Sequence, residues 1–102
     1  MIVHLVLLKV KKRVPAAKTA RVMRSIGALR RTIRGITGFT WGRYSSPEGL
    51  DRGFTHGFCM TFKDAKSRDA YLPHPAHEIV KGEVLEILDG GVKGVLAFDY
   101  EA

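Results

Sequence analysis

The chain has 102 residues, 45% of them hydrophobic, with a net charge of +7 and a single cysteine, Cys59. That length suits one compact domain over 1–102, and the composition is too apolar for a disordered chain. One cysteine excludes an intramolecular disulfide framework, and no apolar run is long enough to span a bilayer, so a cytoplasmic protein with no membrane association is expected.

The opening "MIVHLVLLKV" lacks the basic start and small-residue cleavage site of a signal peptide and reads as a strand over 2–10. Its even positions carry Ile2, His4, Val6 and Leu8, and its odd positions Val3, Leu5 and Leu7. A strand apolar on both sides needs cover on both faces. After Pro15, a favoured first helical residue, the spacing predicts a helix over 15–33 with Val22, Ile26, Leu29 and Ile33 in one stripe. Arg21, Arg24, Arg31 and Arg34 fall on the far side, as a solvated face would have them. Gly27, which costs about 1 kcal/mol relative to Ala inside a helix, implies close packing there.

"GFTWGRYS" predicts a second strand over 38–45 with Phe39, Trp41 and Arg43 on one side, and "SSPEGLDRG" a polar loop. "FTHGFCMTF", 54–62, alternates cleanly, placing His56, Phe58, Met60 and Phe62 on one face. Asp64 is positioned to cap a short helix. The prolines of "YLPHPAH" then break the helical pattern, and Leu72 and His74, each preceding a proline, are expected to be extended. A further helix starts at Pro75, turns Ala76, Val80, Val84, Ile87 and Leu88 inward, and stops at "DGG". "VKGVLAFDYE" is the last strand.

The order β-α-β-β-α-β predicts an α+β, ferredoxin-like layer, with a four-stranded antiparallel sheet and helices on one face. The doubly apolar first strand calls for a second subunit's sheet against the other face, that is, a homodimer.

His74 and His77 lie three apart, but a zinc site needs a third ligand. Cys59 is alone and only His4 and His56 remain as imidazoles, so no metal is expected. No nucleotide-binding loop or nucleophile elbow occurs, and no cofactor is expected. RNA-recognition modules share the element order, but their aromatic-basic signature is missing and nucleic acid is not the expected partner.

With Pro75 as first helical residue, His77 stands in the first turn, where the helix dipole disfavours imidazolium. A neutral His77 is ready to accept a proton, and Tyr71, brought back by the break, could hold a developing enolate oxygen. His74 or His77 could equally serve as a helix cap. His4 and His56 could be satisfied core residues or could line a cavity with a small-molecule ligand, oriented by Asp99.

Taken in order, "VHLVLLKVK", "WG" at 41–42, "FTHGFCMTF", "RDAYLPHPAH" and the closing "FDY" resemble the stress-responsive dimeric α/β barrel (Dabb) family over nearly the whole chain. The resemblance implies a ferredoxin-like monomer that dimerises into a barrel. One plant member closes a polyketide by metal-free aldol condensation. Its catalytic Tyr and His match Tyr71 and His77, its pocket histidines His4 and His56, and its strand-end Asp Asp99. Where that cyclase has large aromatics on the first helix, this chain has Val22, Met23 and Ile26, so a pocket of different shape is implied. The resemblance is compatible with a cofactor-independent cyclase or lyase-like enzyme acting on a small carbonyl compound. It is equally compatible with a non-catalytic stress or binding protein whose histidines are structural.

Overall fold

The computed structural model describes residues 1–102, and its element order follows the expected β-α-β-β-α-β pattern with one helix split in two. Strands β1 (Ile2–Leu8), β2 (Ile36–Arg43), β3 (His56–Phe62) and β4 (Val95–Glu101) form one antiparallel sheet in the order β2-β3-β1-β4. Helices α1 (Ala16–Ala28), α2 (Ala65–Tyr71) and α3 (Pro75–Ile87) complete the set. No helix is long and apolar enough to cross a membrane.

Alternation decides which face of the sheet is covered. Ile2, Val6 and Leu8 of β1 and Phe58, Met60 and Phe62 of β3 are buried in one cluster with Val22, Met23, Ile26 and Leu29 of the first helical segment and Val80 and Ile87 of α3. The opposite face carries Leu7, Leu96, Phe98 and Tyr100, all exposed in the single chain. Leu5 on that face is half-buried and Val3 is buried, so β1 is fully covered on one side only.

Several boundaries differ from the sequence expectation for local reasons. The first helix ends at Ala28 and tightens into a 3-10 turn over Leu29–Arg31, although Ile33 still reaches the core. Gly35 at φ 92° then turns the chain, so β2 begins at Ile36 opposite Phe62, two residues early. β3 begins two residues late, because the Phe54 amide donates to Asp51 and the Thr55 amide crosses to the Leu8 carbonyl. β1 stops at Leu8, with Val10 making only an isolated bridge to Leu88. A 3-10 turn over Gly91–Gly94 delays β4 to Val95.

Gly27 is explained by packing. A Cβ there would lie 2.8 Å from Cδ2 of Phe39, so the bare backbone of α1 is what lets β2 approach. Asp64 caps α2 as expected, accepting from the Ser67 amide at 2.8 Å.

Candidate active site

The break between α2 and α3 builds the site. His74 is extended and its ring Nδ1 accepts from the Ala76 amide at 3.0 Å, so of the two histidines it is His74 that caps α3. Leu72 is not extended. At φ −57°, ψ −46° it continues α2 for one more residue, its amide donating to the Arg68 carbonyl, and this hydrogen bond outweighs the pre-proline preference.

Because His74 has taken the Ala76 amide, the Leu72 carbonyl is left for another donor. His77, at the third position of α3, donates to it from Nδ1 at 2.8 Å. A carbonyl only accepts, so Nδ1 carries the proton and Nε2 of the neutral ring is left with its lone pair. Burial holds the His77 pKa below the usual imidazole value; the Leu72 hydrogen bond opposes this and Lys81 adds to it. The direction is the one expected from the helix dipole, but burial is its main cause.

Tyr71 is buried, with 1% of its surface exposed. Its ring lies over that of His77, centroids 4.3 Å apart at 39°, and packs on Phe62 at 5.0 Å. No hydrogen bond joins the phenol to any group of the chain. Since every fully enclosed side-chain oxygen or nitrogen has a partner, that hydroxyl must open onto the cavity which Tyr71 lines. Burial pushes the phenol pKa up to about 12, so at neutral pH it is a hydrogen-bond donor.

The cavity holds about 310 Å3 between the sheet and α3. Its walls are mostly apolar, with Val6, Leu8 and Phe58 from the sheet, Ile26 from α1, and Val80 and Val84 from α3, while His4, Tyr71, His77 and Lys81, whose ammonium donates to Glu78, supply the polar groups. His4 is buried and its ring stands edge-on to Tyr71 at 6.1 Å. Its Nδ1 donates to Asp99 Oδ1 at 2.6 Å, across the β1–β4 register in which the two residues are partners. Asp99 Oδ2 accepts from Arg68 Nη1 at 2.8 Å. Burial acts to raise the Asp99 pKa, and the hydrogen bonds from His4 and Arg68 outweigh it, leaving the carboxyl below its ordinary value. Asp99 thus fixes the His4 ring from behind without lining the cavity.

Of the residues expected at the pocket, the structure brings together Tyr71, His77, His4 and Ile26, with Asp99 behind His4. It does not bring His56, Val22 or Met23. His56 sits near the other end of β3, hydrogen-bonded to the Thr55 hydroxyl at 2.8 Å, with its pKa lowered by burial and by Arg43. Val22 and Met23 are enclosed in the core and do not reach the cavity. Arg68 was not anticipated; its position three residues before Tyr71, on the same face of α2, was the available signal. The described residues contain no cluster of His, Cys, Asp or Glu suited to a metal ion.

The topology defines a ferredoxin-like α+β domain, and within that class the chain belongs to the stress-responsive A/B barrel domain (Dabb) family, whose model matches residues 2–102. It is 32% identical over 98 residues to the stress-response A/B barrel domain-containing protein HS1 of Arabidopsis thaliana, covering 96% of this chain and 86% of that protein. It is 27% identical over 74 residues to olivetolic acid cyclase of Cannabis sativa, covering 72% of this chain and 73% of the cyclase. A crystal structure of a dimeric ferredoxin-like protein of unknown function from Jannaschia sp. superposes with a TM-score of 0.88 at 28% identity, covering 99% of this chain and 98% of that one.

Proposed function

We propose that this protein is a cofactor-independent acid–base catalyst that removes a proton next to a carbonyl in a small, largely apolar substrate, as in an aldol-type cyclisation or a lyase reaction. The observation that carries the reading is the state of the Tyr71–His77 pair: His77 is locked with its lone pair on Nε2, and the Tyr71 hydroxyl is unclaimed and opens onto the cavity. Nε2 takes the proton from carbon, and the phenol donates a hydrogen bond to the oxygen of the enolate that forms. His4, held by Asp99, presents its remaining ring nitrogen to the same space. The mostly apolar walls favour the carbon skeleton of a polyketide-like compound, and the likeness to olivetolic acid cyclase supports that substrate class.

The reading includes a homodimer. Leu7, Leu96, Phe98 and Tyr100 leave an apolar stripe on the helix-free face, and the Jannaschia relative is dimeric. Packing two such faces together would cover both sides of β1. The free Cys59 suits a reducing, cytoplasmic setting.

The test needs no knowledge of the natural substrate. Small 1,3-dicarbonyl acids and thioesters are incubated with the protein in D2O, and exchange at the carbon between the carbonyls is followed by proton NMR. The wild type should accelerate exchange, and His77→Ala should lose about 10²–10⁴-fold, the usual range for a positioned general base. Equal rates for wild type and His77→Ala would end the proposal.

A further inference from the structure

A second site lies outside that cavity, where α1 begins beside β2 and β3. The cleft there, about 370 Å3, is lined by Lys11, Lys12, Thr19, Trp41, Arg43 and His56, together with small apolar groups and Thr55, and no acidic side chain faces it. The first turn of α1 borders it through Ala16. That turn has no side-chain cap and no acidic residue; the Lys18 and Thr19 amides donate to the Pro15 carbonyl, and the amides of Ala16 and Ala17 have no acceptor within the chain. Lys12 and Arg43 take no part in the ion pairs of the protein, and the Lys11 ammonium meets only the Glu86 carbonyl.

Thr19 is the independent pointer. It is 97% buried by its 3% exposure, yet its hydroxyl makes no hydrogen bond within the chain. Because no fully enclosed side-chain oxygen is left without a partner, this hydroxyl opens onto the cleft. A buried hydroxyl aimed at the space between two unpaired cations and an uncapped helix start is an arrangement for holding an anion with several acceptor oxygens.

We infer that this cleft binds the phosphate group of a small ligand, with the Ala16 and Ala17 amides and the Thr19 hydroxyl donating to its oxygens and Arg43, Lys11 and Lys12 balancing its charge. Trp41, 39% exposed on the same wall, offers a face on which a planar ring attached to the phosphate would stack. The site is independent of the Tyr71–His77 pair.

Trp41 is the only tryptophan in the chain, so its fluorescence reports on the cleft directly. The protein is titrated at constant ionic strength with inorganic phosphate, pyrophosphate and adenosine monophosphate, with chloride as control. A saturable change with phosphate compounds and none with chloride is expected. Thr19→Val should weaken binding at least threefold and Arg43→Gln at least tenfold, with thermal melts verifying that both variants fold. Tighter binding of the nucleotide than of pyrophosphate identifies an organic phosphate, and the reverse order a free anion. Arg31 lies in the neighbouring groove that Trp41 also borders, so Arg31→Gln serves as the spatial control. An unsaturable response, an equal response to chloride, insensitivity to Arg43→Gln, or a greater loss with Arg31→Gln than with Arg43→Gln would overturn the assignment.

Discussion

Replacing Tyr71 with Phe separates a catalytic phenol from a structural one. The ring contributes packing against Phe62 and His77 and is 1% exposed, but the hydroxyl has no partner in the chain. Losing a phenol that makes a protein hydrogen bond typically costs about 0.5–1.5 kcal/mol. Here no such bond is lost, so Tyr71→Phe should change stability by less than about 0.5 kcal/mol and the melting temperature by less than about 4 °C. Tyr71→Ala, in contrast, would empty the ring's space at a cost of about 3–5 kcal/mol, a large part of the stability of a domain this size. The Phe variant is therefore the informative one. If the phenol stabilises an enolate, its loss should slow deuterium exchange about 10²–10³-fold, the usual effect of removing one oxyanion donor. Urea and thermal melts are read beside the exchange rate on the same samples. A stability loss above about 1.5 kcal/mol would mean that the hydroxyl has a structural partner, and an unchanged exchange rate would mean that it is no donor to the reaction.

Three further outcomes follow from the geometry. His77 has a lowered folded pKa, so the stability tied to its neutral form is fully present above about pH 6.5 and is lost as pH falls through the folded value; urea melts should fall more steeply from pH 7 to 5 for wild type than for His77→Gln, and parallel curves would contradict this. The acid limb of exchange should likewise lie below pH 6.5. Gly27→Ala gains about 1 kcal/mol of helix propensity but forces a methyl against the Phe39 ring, an overpacking that costs about 1–3 kcal/mol; a net loss is expected, with Phe39→Leu restoring stability in the double variant, and a more stable Gly27→Ala would show that the ring yields freely. Phe98→Asp, on the exposed sheet face, should convert a dimer to a monomer in light-scattering chromatography, and a dimer of unchanged mass would place the interface elsewhere.

The sheet was legible because alternation in residues 54–62 and 2–8 is strong, and the stripe of Val22, Ile26, Leu29 and Ile33 does enter the core. What parity cannot supply is distance along a strand. His4 and His56 do share the helix-covered face, but the antiparallel register sets His4 opposite Met60, four residues from His56 and so about 13 Å away along β3. Grouping them on one face was right, and placing them in one pocket was not. The same applies to the first helix: Val22 and Met23 point inward with Ile26, and only Ile26 reaches the cavity. Leu72 was misjudged for another reason. A local steric preference, read from the proline alone, lost to the hydrogen bond that the Leu72 amide donates to the Arg68 carbonyl four positions earlier.

In many enzymes the proton on the imidazole is directed by a neighbouring carboxylate or amide, so one substitution can erase the instruction. Here it is written in the main chain. The Leu72 carbonyl belongs to position 72 whatever residue stands there, and the Leu72 side chain, partly exposed at the edge of the cavity, takes no part in the bond. Sequence drift at that position therefore leaves the proton on Nδ1 of His77, and the polar groups around the cavity are free to change while the tautomer stays the same. The vulnerable element is the spacing of the interruption: one residue added or removed between Tyr71 and His77 would turn the ring away from its carbonyl.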